Sequence, residues 1–61
     1  MENNNIAAMD KIYNAAALIN VLDDYLTYDA NGDMKEVLSN ITYIVGNAKT
    51  AINGGLEELR I

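Results

Sequence analysis

Residues 29–36, DANGDMKE, lie at the centre of the chain and decide how it folds. Asn31-Gly32 is a turn dipeptide, because both residues tolerate the positive φ values that tight turns require. Asp33 followed by Glu36 is a capping box, whose side chains satisfy free backbone N–H groups at the start of a helix. The segment therefore predicts a reversal of the chain that is followed at once by a helix.

The chain after this turn repeats its apolar residues with the period of a helix. At about 100° per residue they fall in one arc, with polar residues opposite. The arc contains Met34, Leu38, Ile41, Val45, Ala48, Ile52, Leu56 and Leu59, with Val37 and Ile44 at its edge. We predict a helix over 33–53. The phase persists through Gly54-Gly55, so the helix can continue to about residue 59, with a kink or fraying because two interior glycines cost about 2 kcal/mol.

The chain before the turn shows the spacing of a helix that packs against other helices. Isoleucine and leucine recur every seven residues, with smaller apolar residues between them, which forms an a/d seam. The seam contains Ala8, Ile12, Ala15, Ile19, Leu22 and Leu26. We predict a helix over 6–28 and a turn over 29–32. Because short connections join antiparallel helices, the expected fold is an all-α antiparallel hairpin, one domain over 1–61.

A hairpin of this size has too little core to be stable alone. Burial in a compact monomer contributes about 87 kcal/mol, and ordering 61 residues costs about 92 kcal/mol. The chain has no cysteine to supply a disulfide, so we predict a twofold dimer that forms a four-helix bundle. A monomeric hairpin and a higher oligomer are the alternatives. The residues predicted to mediate self-association are Ile12, Ile19, Leu22, Leu26, Ile41, Val45 and Ile52.

Composition argues against several classes of function. The chain has no histidine or cysteine, and its single serine, Ser39, has no histidine to activate it. We therefore expect no enzyme, no metal site and no cofactor. A net charge of −5 disfavours nucleic acid as a partner. No apolar run approaches the roughly 20 residues of a membrane span, and the polar start is unlike a signal peptide, so we expect a cytoplasmic protein.

Acidic residues cluster around the predicted turn. In the simplest interpretation two of them cap the second helix and the others are solvated. An acidic patch for a basic partner and a catalytic or metal site are the alternatives. The cluster contains Asp23, Asp24, Asp29, Asp33 and Glu36, of which Asp23, Asp24 and Asp29 are candidate partner contacts. An EF-hand calcium loop does not fit, because Met34 stands where the motif needs glycine and Asn40 where it needs glutamate.

A second candidate contact surface lies on the polar face of the second helix. Tyr43 is accompanied there by Gly46, Asn47 and Thr50. Tyrosine buries a large area at low entropic cost, and a glycine lets another backbone approach closely. We therefore predict a partner-binding strip along these four residues.

The capped turn 31–33, the two apolar stripes and the small size together resemble short acidic two-helix proteins of unknown function from bacteria and their phages. Such proteins are often accessory factors. Some small phage proteins of similar dimensions bind and block host defence or regulatory proteins, and others assemble into oligomers that sequester signalling nucleotides. The resemblance implies a non-enzymatic protein-binding module that acts by occupancy. The alternative is an oligomer that sequesters a small molecule or signalling nucleotide at its subunit interfaces. Neutral hydrogen-bonding groups for that alternative are Asn14, Asn20, Asn40, Asn47 and Thr50.

Overall fold

The protein consists of two long helices joined by a short connection. A computed structural model describes the backbone of residues 2–60 and the side chains of residues 5–59. Helix α1 spans Glu2–Asp24, a π-helical turn follows over Tyr25–Asp29, and helix α2 spans Met34–Arg60. All regular structure over the described backbone is helical, and α1 packs along α2. The predicted all-α helical hairpin is confirmed.

The chain reverses direction between the π-helical turn and α2. The backbone N–H of Asn31 donates to the carbonyl of Asp29 at 2.9 Å. Ala30, between them, has φ −84° and ψ 71°, the conformation of an inverse γ-turn. The backbone of Gly32 has φ +90°, an angle that residues with a Cβ rarely adopt. The glycine of the predicted turn dipeptide is therefore required by the backbone.

Asp33 forms the N-cap of α2. Its Oδ1 accepts a hydrogen bond from the backbone N–H of Lys35 at 3.3 Å, and its carbonyl accepts from the N–H of Val37 at 3.0 Å. Glu36 lies in the first turn, where its negative charge interacts favourably with the positive end of the helix dipole. Within the described residues, Glu36 makes no hydrogen bond back to Asp33. Asp33 therefore caps α2 through the N–H of Lys35, and neither of the two hydrogen bonds of the predicted capping box between Asp33 and Glu36 is formed among the described residues.

Both helices differ in extent from the sequence expectation. Helix α1 begins at Glu2 rather than near residue 6, and its last turn widens into the π-helical segment. Helix α2 does not end near Asn53 but continues through the two glycines to Arg60. The longer of the two predicted lengths therefore describes α2.

The glycine pair brings the two helices together instead of ending α2. Gly55 is buried, and a Cβ at this position would lie 2.8 Å from Cγ1 of Ile12 and 3.1 Å from the carbonyl oxygen of Ala8. A side chain at residue 55 would therefore push α1 away. The close packing it permits offsets the low helix propensity that led us to expect a kink.

The interior of the hairpin is built from small residues. Within residues 5–59, those that are buried are Ala8, Ala15, Val37 and Gly55. Apart from Val37, none of the large apolar side chains in this range is buried. The contact between α1 and α2 is therefore close but narrow, and it leaves most of the apolar surface uncovered.

Gly55→Ala and Gly54→Ala should have opposite effects on stability. At Gly55 the new methyl group meets Ile12 and backbone, so the free energy of unfolding should fall by about 1–3 kcal/mol. At Gly54 the methyl group meets only the flexible Lys11 side chain, 3.3 Å away. The gain in helix propensity should then raise the free energy of unfolding by about 0.5–1 kcal/mol.

Urea unfolding at one fixed protein concentration measures both changes. Equal shifts for the two variants would contradict the close approach of α1 to residue 55.

Candidate functional site

Two polar contacts close one edge of the hairpin. Lys11 Nζ lies 2.7 Å from Glu58 Oε2, in a half-exposed ion pair near the chain ends. Asn40 Nδ2 donates to the hydroxyl of Tyr25 at 3.0 Å near the turn. Asn40 and Glu58 are 18 residues apart, which is about five full helical turns, so they occupy the same side of α2. This side is the polar edge of the hairpin.

The opposite edge is an open apolar groove. Its volume is about 410 Å³, within the usual range for ligand pockets. Val45, on this edge, lies about 140° around α2 from Asn40, which places the groove away from the polar edge. The lining residues are Ala15, Leu18, Ile19 and Leu22 of α1, and Ile44, Val45, Ala48, Lys49 and Ile52 of α2.

The groove continues into a long apolar surface on α2. Five large side chains that are about half exposed or more fall within an arc of about 60° on the groove side of the helix. They are Met34, Leu38, Val45, Leu56 and Leu59. Ile19 of α1 borders the same groove and is 56% exposed. We call these six residues the open face.

The structure divides the seven residues predicted to mediate self-association into two groups. Half-buried positions between the helices are occupied by Ile12, Leu22, Ile41 and Ile52. The other three, Ile19, Leu26 and Val45, are about half exposed. The buried residues of α1 are Ala8 and Ala15, and the larger members of the predicted seam lie beside them, half-buried or exposed. Ile19, Leu22, Val45 and Ile52 come together in its lining.

The predicted partner-binding strip lies outside the groove lining. Tyr43 is 73% exposed, and Gly46, Asn47 and Thr50 are exposed beside it. Beyond its own turn of α2, none of the described residues has an atom within 4 Å of a Cβ built on Gly46. The strip is therefore an accessible polar surface, separate from the open face.

The acidic residues near the turn are solvated. Asp23, Asp24 and Asp29 are all exposed. Over the described residues, no three acidic side chains gather closely enough to hold a metal ion. We call the end of the hairpin formed by residues 23–36 the acidic tip.

Lys49 is a groove residue that sequence reasoning did not identify. It is the charged residue among the groove-lining side chains. Its position could have been found from the sequence, because it comes four residues after Val45 and three before Ile52, the spacing of residues on one side of a helix. The polar residues proposed for small-molecule binding fall elsewhere: Asn14, Asn20, Asn40, Asn47 and Thr50 are all absent from the described lining. The groove thus offers an apolar surface with one cation at its rim.

Comparison with protein-family models, with curated proteins and with solved structures gives no match. The surface is therefore interpreted from its own geometry. Over residues 2–60, neither helix combines the length and the apolar character needed to cross a bilayer.

Gly46→Ala should stabilise the protein. Gly46 lies in the middle of α2 and is exposed, and the added methyl group meets no described residue within 4 Å outside its own helical turn. Alanine is about 1 kcal/mol better than glycine in a helix interior, so the thermal midpoint should rise by several degrees. Calorimetry at a fixed protein concentration measures this shift. A lower midpoint would show that residue 46 is packed against another surface in solution.

Proposed function

We propose that this chain is a small protein-binding module that acts through helix-to-helix association. Its docking surface is the open face, and the occupant is a second copy of the same chain. Two hairpins joined in this way form a four-helix bundle. The observation that carries the proposal is the placement of six large, exposed apolar side chains along one side of the hairpin.

The side of the hairpin that carries the open face has about the area that a specific interface buries on each partner. The hairpin measures 47 × 17 × 9 Å along its principal axes, so the projected area of its broad side is about 800 Å², and the accessible surface of that corrugated side is larger. Specific protein interfaces bury about 800 Å² on each partner. Crystal-packing contacts and weak encounters are smaller. One copy therefore presents an area sufficient for a specific interface.

The large accessible surface area of the isolated hairpin also favours a second copy as the occupant of the open face. Its accessible surface is 4728 Å², whereas a compact monomer of this mass exposes about 3,900 Å². The excess of about 800 Å², if about 60% apolar, corresponds to about 12 kcal/mol of hydrophobic stabilisation that the isolated hairpin lacks. This equals the entire stability of a typical domain. A second copy on the open side recovers an area of this size.

The chemistry of the open face also suits pairing with the same face of a second copy. A twofold interface uses the same surface on both copies, so apolar residues must meet apolar residues. Within the groove lining, Lys49 is the one charged side chain, and it lies at the rim, where a long aliphatic stem can keep its ammonium group in water. Pairing therefore buries no unpaired charge in the centre.

The outward surfaces remain available in such a dimer. Tyr43, Gly46, Asn47 and Thr50 lie outside the groove lining, and the acidic tip is solvated. In the narrower form of the proposal these surfaces bind another protein, such as a host defence or regulatory protein, and block it by occupancy. The exposed tyrosine and the carboxylates favour a basic partner surface.

Val45→Glu and Val21→Glu test the proposal as a matched pair. Val45 is 45% exposed on the open face, and Val21 is 51% exposed on the back of α1. Both substitutions place the same charge on a half-exposed helical valine. Only Val45→Glu should bury that charge against a second copy, which costs several kcal/mol and should weaken dimerisation at least a hundredfold.

Sedimentation equilibrium measures the association of both variants. We expect Val21→Glu to remain dimeric, with twice the 6.7 kDa chain mass, and Val45→Glu to sediment as a monomer. A monomeric unsubstituted chain would overturn the proposal, as would equal association of the two variants. A chain that stays monomeric but is stabilised by an amphipathic anion would assign the groove to a small molecule.

A further inference from the structure

Helix α1 carries a second row of residues on the side that faces away from α2. Successive members of the row are three or four residues apart, which places them within an arc of about 80° around the helix. All of them are exposed. They are Ile6, Asp10, Tyr13, Ala17, Val21 and Asp24. We call these six residues the outer row.

The outer row is separate from the open face. Ala15 comes two residues before Ala17 and Ile19 comes two residues after it, and two residues turn about 200° around a helix. Ala15 is buried against α2, and Ile19 lines the groove. Both therefore lie nearly opposite Ala17, which is at the centre of the outer row. A second copy on the open face leaves this centre uncovered.

The apolar members give the outer row the character of a surface on which a helix docks. Ile6 is 59% exposed, Tyr13 is 64% exposed and Val21 is 51% exposed. Spacings of three and four residues are those by which one helix packs along another. Asp24 follows Ile6 by 18 residues, or about 27 Å of helix. The row is therefore long enough to contact about five turns of a second helix.

The two aspartates of the row disfavour a second copy of this chain as its occupant. Asp10 and Asp24 each lie seven residues from Ala17, so an antiparallel pair centred on Ala17 places Asp10 of one copy against Asp24 of the other. In a parallel pair in register, each aspartate meets itself. Like charges that face each other across an interface oppose association. The row thus suits a partner of opposite charge in either orientation.

From this arrangement we propose that the outer row binds an amphipathic helix of another protein, whose apolar stripe carries two basic residues that pair with Asp10 and Asp24. The two aspartates are 14 residues apart, which is about 21 Å along the helix. Lysine or arginine at the same spacing meets both carboxylates. The net charge of −5 attracts such a partner at longer range. Because the outer row is not the open face, the inference does not depend on the proposed dimer.

Two synthetic peptides of identical composition test the row on the unsubstituted chain. One repeats the apolar spacing of the outer row, with lysine at the two positions that Asp10 and Asp24 occupy. The control peptide has both lysines moved to the opposite side of its helix, so its charge and apolar content are unchanged. Isothermal titration calorimetry should show that the first peptide binds at least about tenfold more tightly than the control.

Reversal of the two charges locates the bound peptide. The variant Asp10→Lys/Asp24→Lys alters two exposed side chains, and circular dichroism checks that it remains helical. It should bind the first lysine peptide at least about tenfold more weakly than the unsubstituted chain does. It should in turn bind a peptide that has glutamate in place of the two lysines, which the unsubstituted chain rejects.

Three results would overturn the inference. Equal binding of the two lysine peptides would show general charge attraction without docking on the row. Binding that is insensitive to the charge reversal would place the peptide elsewhere, as on the open face. Absence of binding by the first peptide would show that the outer row does not accept a basic helix.

Discussion

Two helices can cover only one side of each other, and this geometric constraint governs the whole molecule. A helix that contacts a single neighbour buries a narrow strip, whereas α2 carries apolar residues across a wider arc. The strip in this hairpin is occupied by small residues, with Gly55 against Ile12 and Ala8. The larger apolar side chains are therefore left beside the contact, on the open face.

The two edges of the contact between α1 and α2 differ in chemistry: one is polar, and the other is apolar. At the polar edge, Lys11 pairs with Glu58 and Tyr25 accepts from Asn40, which ties the helices at both ends. Surface contacts of this kind contribute little stability, but they fix which edge faces water. The opposite edge presents the apolar groove. The association that we propose uses this edge, which the contact between the two helices leaves uncovered.

The sequence predicted the hairpin because its strongest signals are local. The turn at Asn31-Gly32 and the cap at Asp33 depend on backbone conformation within a few residues. It did not predict which part of each stripe faces the other helix, because Ile19 and Val45 share their stripes with inward-facing residues. That choice depends on how closely the helices approach, and Gly55 sets the approach through a contact 43 residues away in sequence, at Ile12. Helix propensity alone led us to expect a kink or fraying at the glycine pair.

The dependence of the thermal unfolding midpoint on protein concentration tests the central claim most directly. If the open face is covered by a second copy, unfolding includes dissociation, and the midpoint should rise by about 5 °C for each tenfold increase in concentration. Circular dichroism at 222 nm over a wide dilution series measures this trend. A midpoint that stays constant over that series would mean that the hairpin is stable with its apolar face exposed, and would contradict the account.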